Sequence, residues 1–176
     1  QMCIRDREVG SVSHEVSLLT DHDIYLFKEG NHFRLYDKLG AHVTYMGERE
    51  GTYFAVWAPS ARSVSVVGDF NGWNPASHPL GVRWDGSGIW EGFIAGLGKG
   101  AVYKYHVVSQ YRRYRADKGD PFALYWEVPP KTASIVWGLD YKWCDEEWMR
   151  NRHRANALGA PFSIYEVHLG SWRRVP

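Results

Sequence analysis

Cysteine is nearly missing from this 176-residue chain: only Cys3 and Cys144 occur, far apart and in no C-x-x-C pattern. That rules out a disulfide framework and a thiolate metal site, and the pair reads as free thiols of a cytoplasmic protein. An excess of one charge is missing too. Twenty-one basic against twenty acidic residues leave a net charge of +1, which argues against nucleic acid as the main partner, since phosphate binding needs a net basic face. No apolar run approaches the roughly 20 residues of a membrane span, and the first thirty residues lack a basic-then-apolar secretion signal. There is no G-x-S-x-G, no P-loop and no G-x-G-x-x-G. None of the eight histidines pairs at metal spacing, so neither a metal nor another cofactor is expected. No internal repeat or low-complexity tract is present.

Aromatic residues are abundant: 15% of the chain, with 9 Trp and 11 Tyr. Large, stiff, amphipathic rings suit a core, and they suit a binding face as well. Residues 16 to 40 read as two short helices. Thr20 and Asp21 are good N-caps before "HDIYLFKEG", which Gly30 stops; Asn31 caps "HFRLYDKLG", which Gly40 ends. From about residue 42 the rhythm shortens to period two. "TYFAVWAP", "SVSVVGDF", "GIWEGFIAGL", "AVYKYHVVS" and "TASIVWG" are short strands separated by Gly, Pro, Asn and Asp turns, the pattern of a β-sandwich. "CDEEWMRNRHRANAL" reads as a polar helix capped near Asp145. Ile164 to Leu169 is a strand that finds no partner inside the sandwich. The opening "QMCIRDR" fits nothing that follows it and reads as foreign sequence; with that unpartnered strand at the other end, the chain is expected to be a fragment of something longer.

One stretch carries the chemistry. In "SVVGDFNGWNP", Ser65–Pro75, a strand runs into a polar turn with Trp73 in its middle. Turn residues are normally exposed, and an exposed indole matches the flat C–H face of a glucose ring; stacking the two removes apolar area from water at roughly 25 cal/mol per Å². Asp69, Asn71 and Asn74 stand ready to bond sugar hydroxyls. The competing reading has Trp73 folding back to plug the end of the sandwich. Lys104 lies on the face opposite Tyr103, Tyr105 and Val107, where its amine reaches a hydroxyl or is simply solvated. "SQYRRYRAD" follows on a hairpin, with Tyr111 or Tyr114 as a second platform or as turn packing. His168 falls in the buried strand candidate. Asp145, Glu146 and Glu147 are an acidic helix start, not a glycosidase pair flanking a bond, so the residues show no catalytic apparatus.

"FAVWAPSARSVSVVGDFNGWN", "GIWEGFIAGLGKGAVYKYHV", "RADKGDPFALYWEVPPKTASIVW" and "APFSIYEVHLGSWRRVP" resemble the bacterial glycogen (1,4-α-glucan) branching enzymes over about residues 16 to 176. The sandwich portion resembles the carbohydrate-binding module of family forty-eight, which isoamylase-type debranching enzymes, trehalose-forming hydrolases and a kinase β subunit share. The resemblance implies a mainly β chain. Residues 1–41 form an N-terminal segment with short helices, 42–140 an immunoglobulin-like β-sandwich, 141–160 a helical linker, and 161–176 the first strand of a truncated (β/α)₈ barrel. It implies an enzyme that cuts an α-1,4-glucan and moves the chain to a 6-hydroxyl through a covalent glucosyl-enzyme on an Asp nucleophile, with a Glu as acid and base and a second Asp stabilising the transition state. Those residues match nothing here, so this chain alone is expected to be inactive. Trp73 and Lys104 match the module's glucan site, with Asn74, Tyr111 and Tyr114 as further contacts. Tyr165 and Glu166 fall near the substrate cleft of a complete enzyme. The partners implied are α-1,4-glucan and the barrel itself, with no nucleic acid and no membrane. The alternatives are a stand-alone glycan-binding or regulatory module, or the N-terminal module of a debranching or trehalose-forming hydrolase.

Overall fold

The computed structural model describes residues 12–13, 17–111 and 114–172; residues 1–7, read above as foreign, and Cys3 lie outside them. The chain divides into one unit up to Leu139 and a second from Asp140 on.

Among its described residues the first unit has ten strands: β1 (Val12–Ser13), β2 (Gly40–Met46), β3 (Arg49–Trp57), β4 (Ala61–Gly68), β5 (Gly81–Val82), β6 (Ile89–Ala95), β7 (Val102–Ser109), β8 (Arg115–Lys118), β9 (Tyr125–Trp126) and β10 (Ser134–Ile135). All pairings are antiparallel. One sheet runs β1-β6-β3-β2 with β5 also on β6; the other runs β4-β7-β10-β9 with β8 also on β7. The expected immunoglobulin-like sandwich is therefore present; β3, β4, β6 and β7 fall where the period-two stretches lie, the fifth stretch holds the two-residue β10, and β2 lies outside them.

Alternation explains the packing. Phe54 and Val56 of β3, Trp90 and Ile94 of β6, Val64 and Val66 of β4, and Tyr103 and Tyr105 of β7 face one another as the core. The rings of Phe54 and Tyr103 meet edge to face at 5.1 Å. The other face of β3 and β6, carrying Tyr53, Ala55, Ile89 and Phe93, is covered by Leu19, Ile24 and Leu39. A strand covered on both sides has no polar face, which is why β3 is buried without a break from Gly51 to Val56.

The cover is α1 (Asp21–Lys28), started by a capping box. The Thr20 hydroxyl accepts from the Asp23 N–H at 3.2 Å, and the Asp23 carboxylate accepts from the Thr20 N–H at 2.8 Å. The second expected helix is not formed. Only a 3₁₀ turn, Leu35–Asp37, lies there, and Gly40 starts β2 instead of ending a helix. The reason is burial: of the supposed stripe, Phe33 and Tyr36 are exposed and Leu39 alone is deeply buried.

In the second unit α2 spans Glu146–Ala155, one residue inside Asp145, and α3 is the single turn Leu169–Trp172. Residues 161–168 carry no regular structure, so the strand expected over Ile164–Leu169 is not formed. A strand exists through its ladder, and none of the described residues pairs with this segment.

Candidate functional site

The loop after β4 is locked by its own side chains. Asn71 Oδ1 accepts from the Gly68 N–H at 3.0 Å, while Asn71 Nδ2 donates to the Val66 carbonyl at 3.0 Å and meets His78 Nδ1 at 2.8 Å. Asn71 is therefore a strut of the turn, which corrects its reading as a sugar contact. Gly72 and Trp73 both take left-handed backbone, φ 61° and 60°. For Gly72 that is easy. Trp73 is the one non-glycine at positive φ among the described residues, a conformation costing about 1–2 kcal/mol. Its N–H donates to the Gly68 carbonyl at 2.9 Å, and its indole Nε1–H donates to Asp69 Oδ1 at 2.8 Å. Asp69 is thus engaged in orienting the ring. Trp73 remains 37% exposed, and does not plug the sandwich core. Asn74 is exposed; its Oδ1 accepts from the Ala76 N–H at 3.0 Å.

The β4–β7 register pairs Val67 with Lys104 and Gly68 with Tyr103. Lys104 thus stands one strand away and one residue along from the carbonyl that anchors Trp73. Its neighbours Tyr103 and Tyr105 point into the core, so Lys104 points out, and its Nζ donates to Thr132 Oγ1 at 2.8 Å. β8 ends at Lys118, which pairs with Tyr105, and Gly119 follows it. A Cβ on Gly119 would collide with Cζ3 and Cη2 of Trp126 and come within 3.5 Å of the Thr132 carbonyl. Trp126 therefore rests its ring on a backbone made flat by glycine.

Beneath the outer face lies a buried carboxylate. Asp120 accepts from the hydroxyls of Tyr103 at 2.6 Å and Tyr105 at 3.2 Å and from the Phe122 N–H at 2.8 Å, while its own N–H donates to Ser134 Oγ at 2.9 Å. Burial pushes its carboxyl above the usual range, against those hydrogen bonds. Burial and the Asp120 charge likewise push both tyrosines up. These bonds tie β7 to β10 and the 119–122 turn, and so fix the backbone that carries Lys104 and Gly119.

Tyr111 and Tyr114 are placed elsewhere. The β4–β7 ladder runs from Gly68–Tyr103 at one end to Ala61–Ser109 at the other, six residues or about 20 Å apart. Both tyrosines follow Ser109, at the far end. They are exposed, and Lys118 Nζ sits 5.7 Å from the Tyr114 ring centroid. The structure does not bring them to Trp73. What Lys104 meets instead is Thr132, in the loop before the last strand.

In the second unit Tyr165 and Glu166 are exposed, Tyr165 meeting Trp172 edge to face at 5.5 Å. His168 is exposed as well, with Nδ1 at 2.8 Å from Ser171 Oγ, which corrects its placement in a buried strand. Among the described residues no group of three or more His, Cys, Asp and Glu side chains is arranged to hold a metal ion, and no helix is long and apolar enough to cross a membrane.

Residues 38–123 match the family described as carbohydrate-binding module 48 (isoamylase N-terminal domain). The chain is 58% identical over 158 residues to a 1,4-alpha-glucan branching enzyme of Aromatoleum aromaticum, covering 90% of this chain and 24% of the relative. It is 54% identical over 160 residues to that of Aquifex aeolicus, covering 91% and 25%. The chain thus spans about a quarter of the length of the curated relatives it matches. Among solved structures, a Klebsiella pneumoniae pullulanase complexed with maltotriose aligns with 60% of this chain and 10% of its own, at 28% identity and a TM-score of 0.48.

Proposed function

We propose that the chain is the N-terminal part of a 1,4-alpha-glucan branching enzyme, with a carbohydrate-binding module 48 at residues 38–123, and that its sandwich holds α-1,4-glucan at the end where β4 and β7 pair Gly68 with Tyr103. One observation carries this reading: Trp73 keeps a bulky ring on a left-handed backbone, with the indole N–H already satisfied by Asp69. A tryptophan there is costly for the turn and contributes nothing to the core clusters. A ring whose polar edge is occupied and whose orientation is set offers an apolar face without further ordering cost, which is what stacking on a sugar requires. Lys104 supplies a donor beside it. An ammonium has three protons, and the Thr132 hydroxyl uses one, leaving others for a sugar hydroxyl. Asn74 has its amide NH₂ for the same purpose.

The longer protein, on this reading, transfers α-1,4-glucan segments to 6-hydroxyls in the cytoplasm, with Tyr165 and Glu166 near its cleft. The 176 residues alone bind and do not branch; a branching assay on this chain that showed turnover would overturn that. The binding test is affinity electrophoresis of the chain in gels containing glycogen. The wild type is retarded and Trp73→Ala runs free. If neither is retarded, the indole belongs to the turn and glucan recognition lies outside this chain.

A further inference from the structure

We infer that His78 is a positioning residue of the glucan site: its ring nitrogen Nδ1, held as an acceptor, fastens through Asn71 the turn that presents Trp73. The inference rests on the reading that Trp73 binds glucan.

The turn is a loop closed on its own strand. It leaves β4 at Gly68 and returns beside β4, where the Val66 N–H donates to the His78 carbonyl at 2.9 Å, Ser65 forms an antiparallel bridge with Pro79, and the Leu80 N–H donates to the Val64 carbonyl at 2.8 Å. The backbone thus delivers His78 to the base of the turn. His78 is buried, and its ring meets that of Phe70 at 5.4 Å. Asn71 is the hub of this closure. Its carbonyl accepts from the Asn74 N–H at 3.2 Å, and its side chain joins Val66, Gly68 and His78. Gly68 in turn offers the carbonyl that takes the Trp73 N–H.

The backbone partners decide which way the Asn71 amide points. Its oxygen faces the Gly68 N–H and its nitrogen faces the Val66 carbonyl; turning the amide over would set N–H against N–H and oxygen against oxygen. The NH₂ group therefore gives one proton to Val66 and aims the other at His78 Nδ1, 2.8 Å away. A ring nitrogen that accepts carries no hydrogen, so the His78 hydrogen is on Nε2. Without that acceptor Asn71 keeps a half-buried donor with no partner. A left-handed tryptophan persists only while its surroundings over-determine it. Slack at the hub frees Trp73 to leave the orientation that stacking needs, and the cost of ordering the ring returns at binding. His78 touches no sugar; its effect passes through Asn71.

Two measurements on the 176-residue chain test this. The first is the pair of ring-nitrogen chemical shifts of His78, by NMR near neutral pH. The expected signature is the Nε2–H tautomer; an Nδ1–H tautomer or a doubly protonated ring overturns the inference whatever the chain binds. The second is calorimetric titration with maltoheptaose. His78→Leu keeps apolar bulk without an acceptor and binds about tenfold more weakly than wild type. His78→Asn puts an oxygen where Nδ1 stood and binds close to wild type. His78→Gln carries its oxygen one bond farther out and binds as weakly as His78→Leu. Thermal melts show which variants keep the fold, and His78 lies outside both core clusters. If His78→Leu has lost its fold, His78→Asn against His78→Gln decides, and equal affinities of those two overturn the inference. Wild-type affinity in a folded His78→Leu, or equal weakening in His78→Asn and His78→Leu, overturns it alone while Trp73→Ala still abolishes binding. Absence of wild-type binding, or binding that Trp73→Ala leaves unchanged, overturns the Trp73 reading together with it.

Discussion

The two units of this chain have similar supplies of aromatic residues and opposite fates for them. Up to Leu139, Phe54, Tyr53, Tyr103, Tyr105 and Phe93 are at most 2% exposed. From Asp140 to Trp172 no described residue is buried, although Trp143, Trp148, Phe162, Ile164, Tyr165, Leu169 and Trp172 are all there. Hydrophobic residues do not make a core by themselves. They need a second surface to close against, and two antiparallel sheets plus α1 provide it in the first unit. Only the single turn of α3 forms around Tyr165 and Trp172. The same contrast separates exposed apolar side chains. Trp73 and Trp126 are exposed but held, by an Asp69 hydrogen bond and a Gly119 backbone, whereas Leu158, 109% exposed, touches nothing that would hold it.

The largest effect that would break this contrast is a core truncation. Phe54→Ala should cost about 3–5 kcal/mol, read as a loss of cooperative unfolding in urea or a fall of many degrees in Tm. A cost under 1 kcal/mol would mean that the interface between the sheets is not the core. Next is Asp23. Burial pushes its carboxyl up, but hydrogen bonds from the Thr20 N–H, His32, the Thr20 hydroxyl and Lys38 outweigh that and hold it well below the usual range. A depressed folded-state value stabilises the fold above the unfolded value near 3.9, and that stability is lost progressively as the pH falls from there toward the lower folded-state value. Asp23→Asn should therefore cost about 1–3 kcal/mol at pH 7, with the gap to wild type narrowing below about pH 4; a constant gap in Tm across that range would refute the linkage. Trp73→Gly sharpens the second comparison. It relieves the left-handed strain, so stability should stay within about 1 kcal/mol of wild type while glycogen retardation disappears. The smallest effect is expected in the second unit: Ile164→Ala or Trp172→Ala should change Tm by no more than surface substitutions do, about 0.5 kcal/mol, and a chain ending at Leu139 should melt as the whole one does.

Much of the fold was legible because it is local. Thr20 to Asp23 spell a capping box, and "YKYHVV" alternates whatever lies beside it. The failures have one physical cause. "HFRLYDKLG" has helical spacing, yet its apolar residues were not called upon by any facing surface, so a single turn and then β2 formed. "SIYEVHL" has strand composition and no ladder. Tyr111 and Tyr114 were near Lys104 in sequence, but seven and ten positions along a strand and hairpin are a long way in space.

The alternation, the cap, the turn residues around Trp73 and the outward aim of Lys104 were determined by the sequence, because each depends on neighbours a few positions away and on the fixed periods of strand and helix. What Lys104 bonds was decided only by the tertiary structure. β10 pairs beside β7 and brings Thr132 to its amine; that pairing joins residues distant in the chain, and no local pattern encodes it.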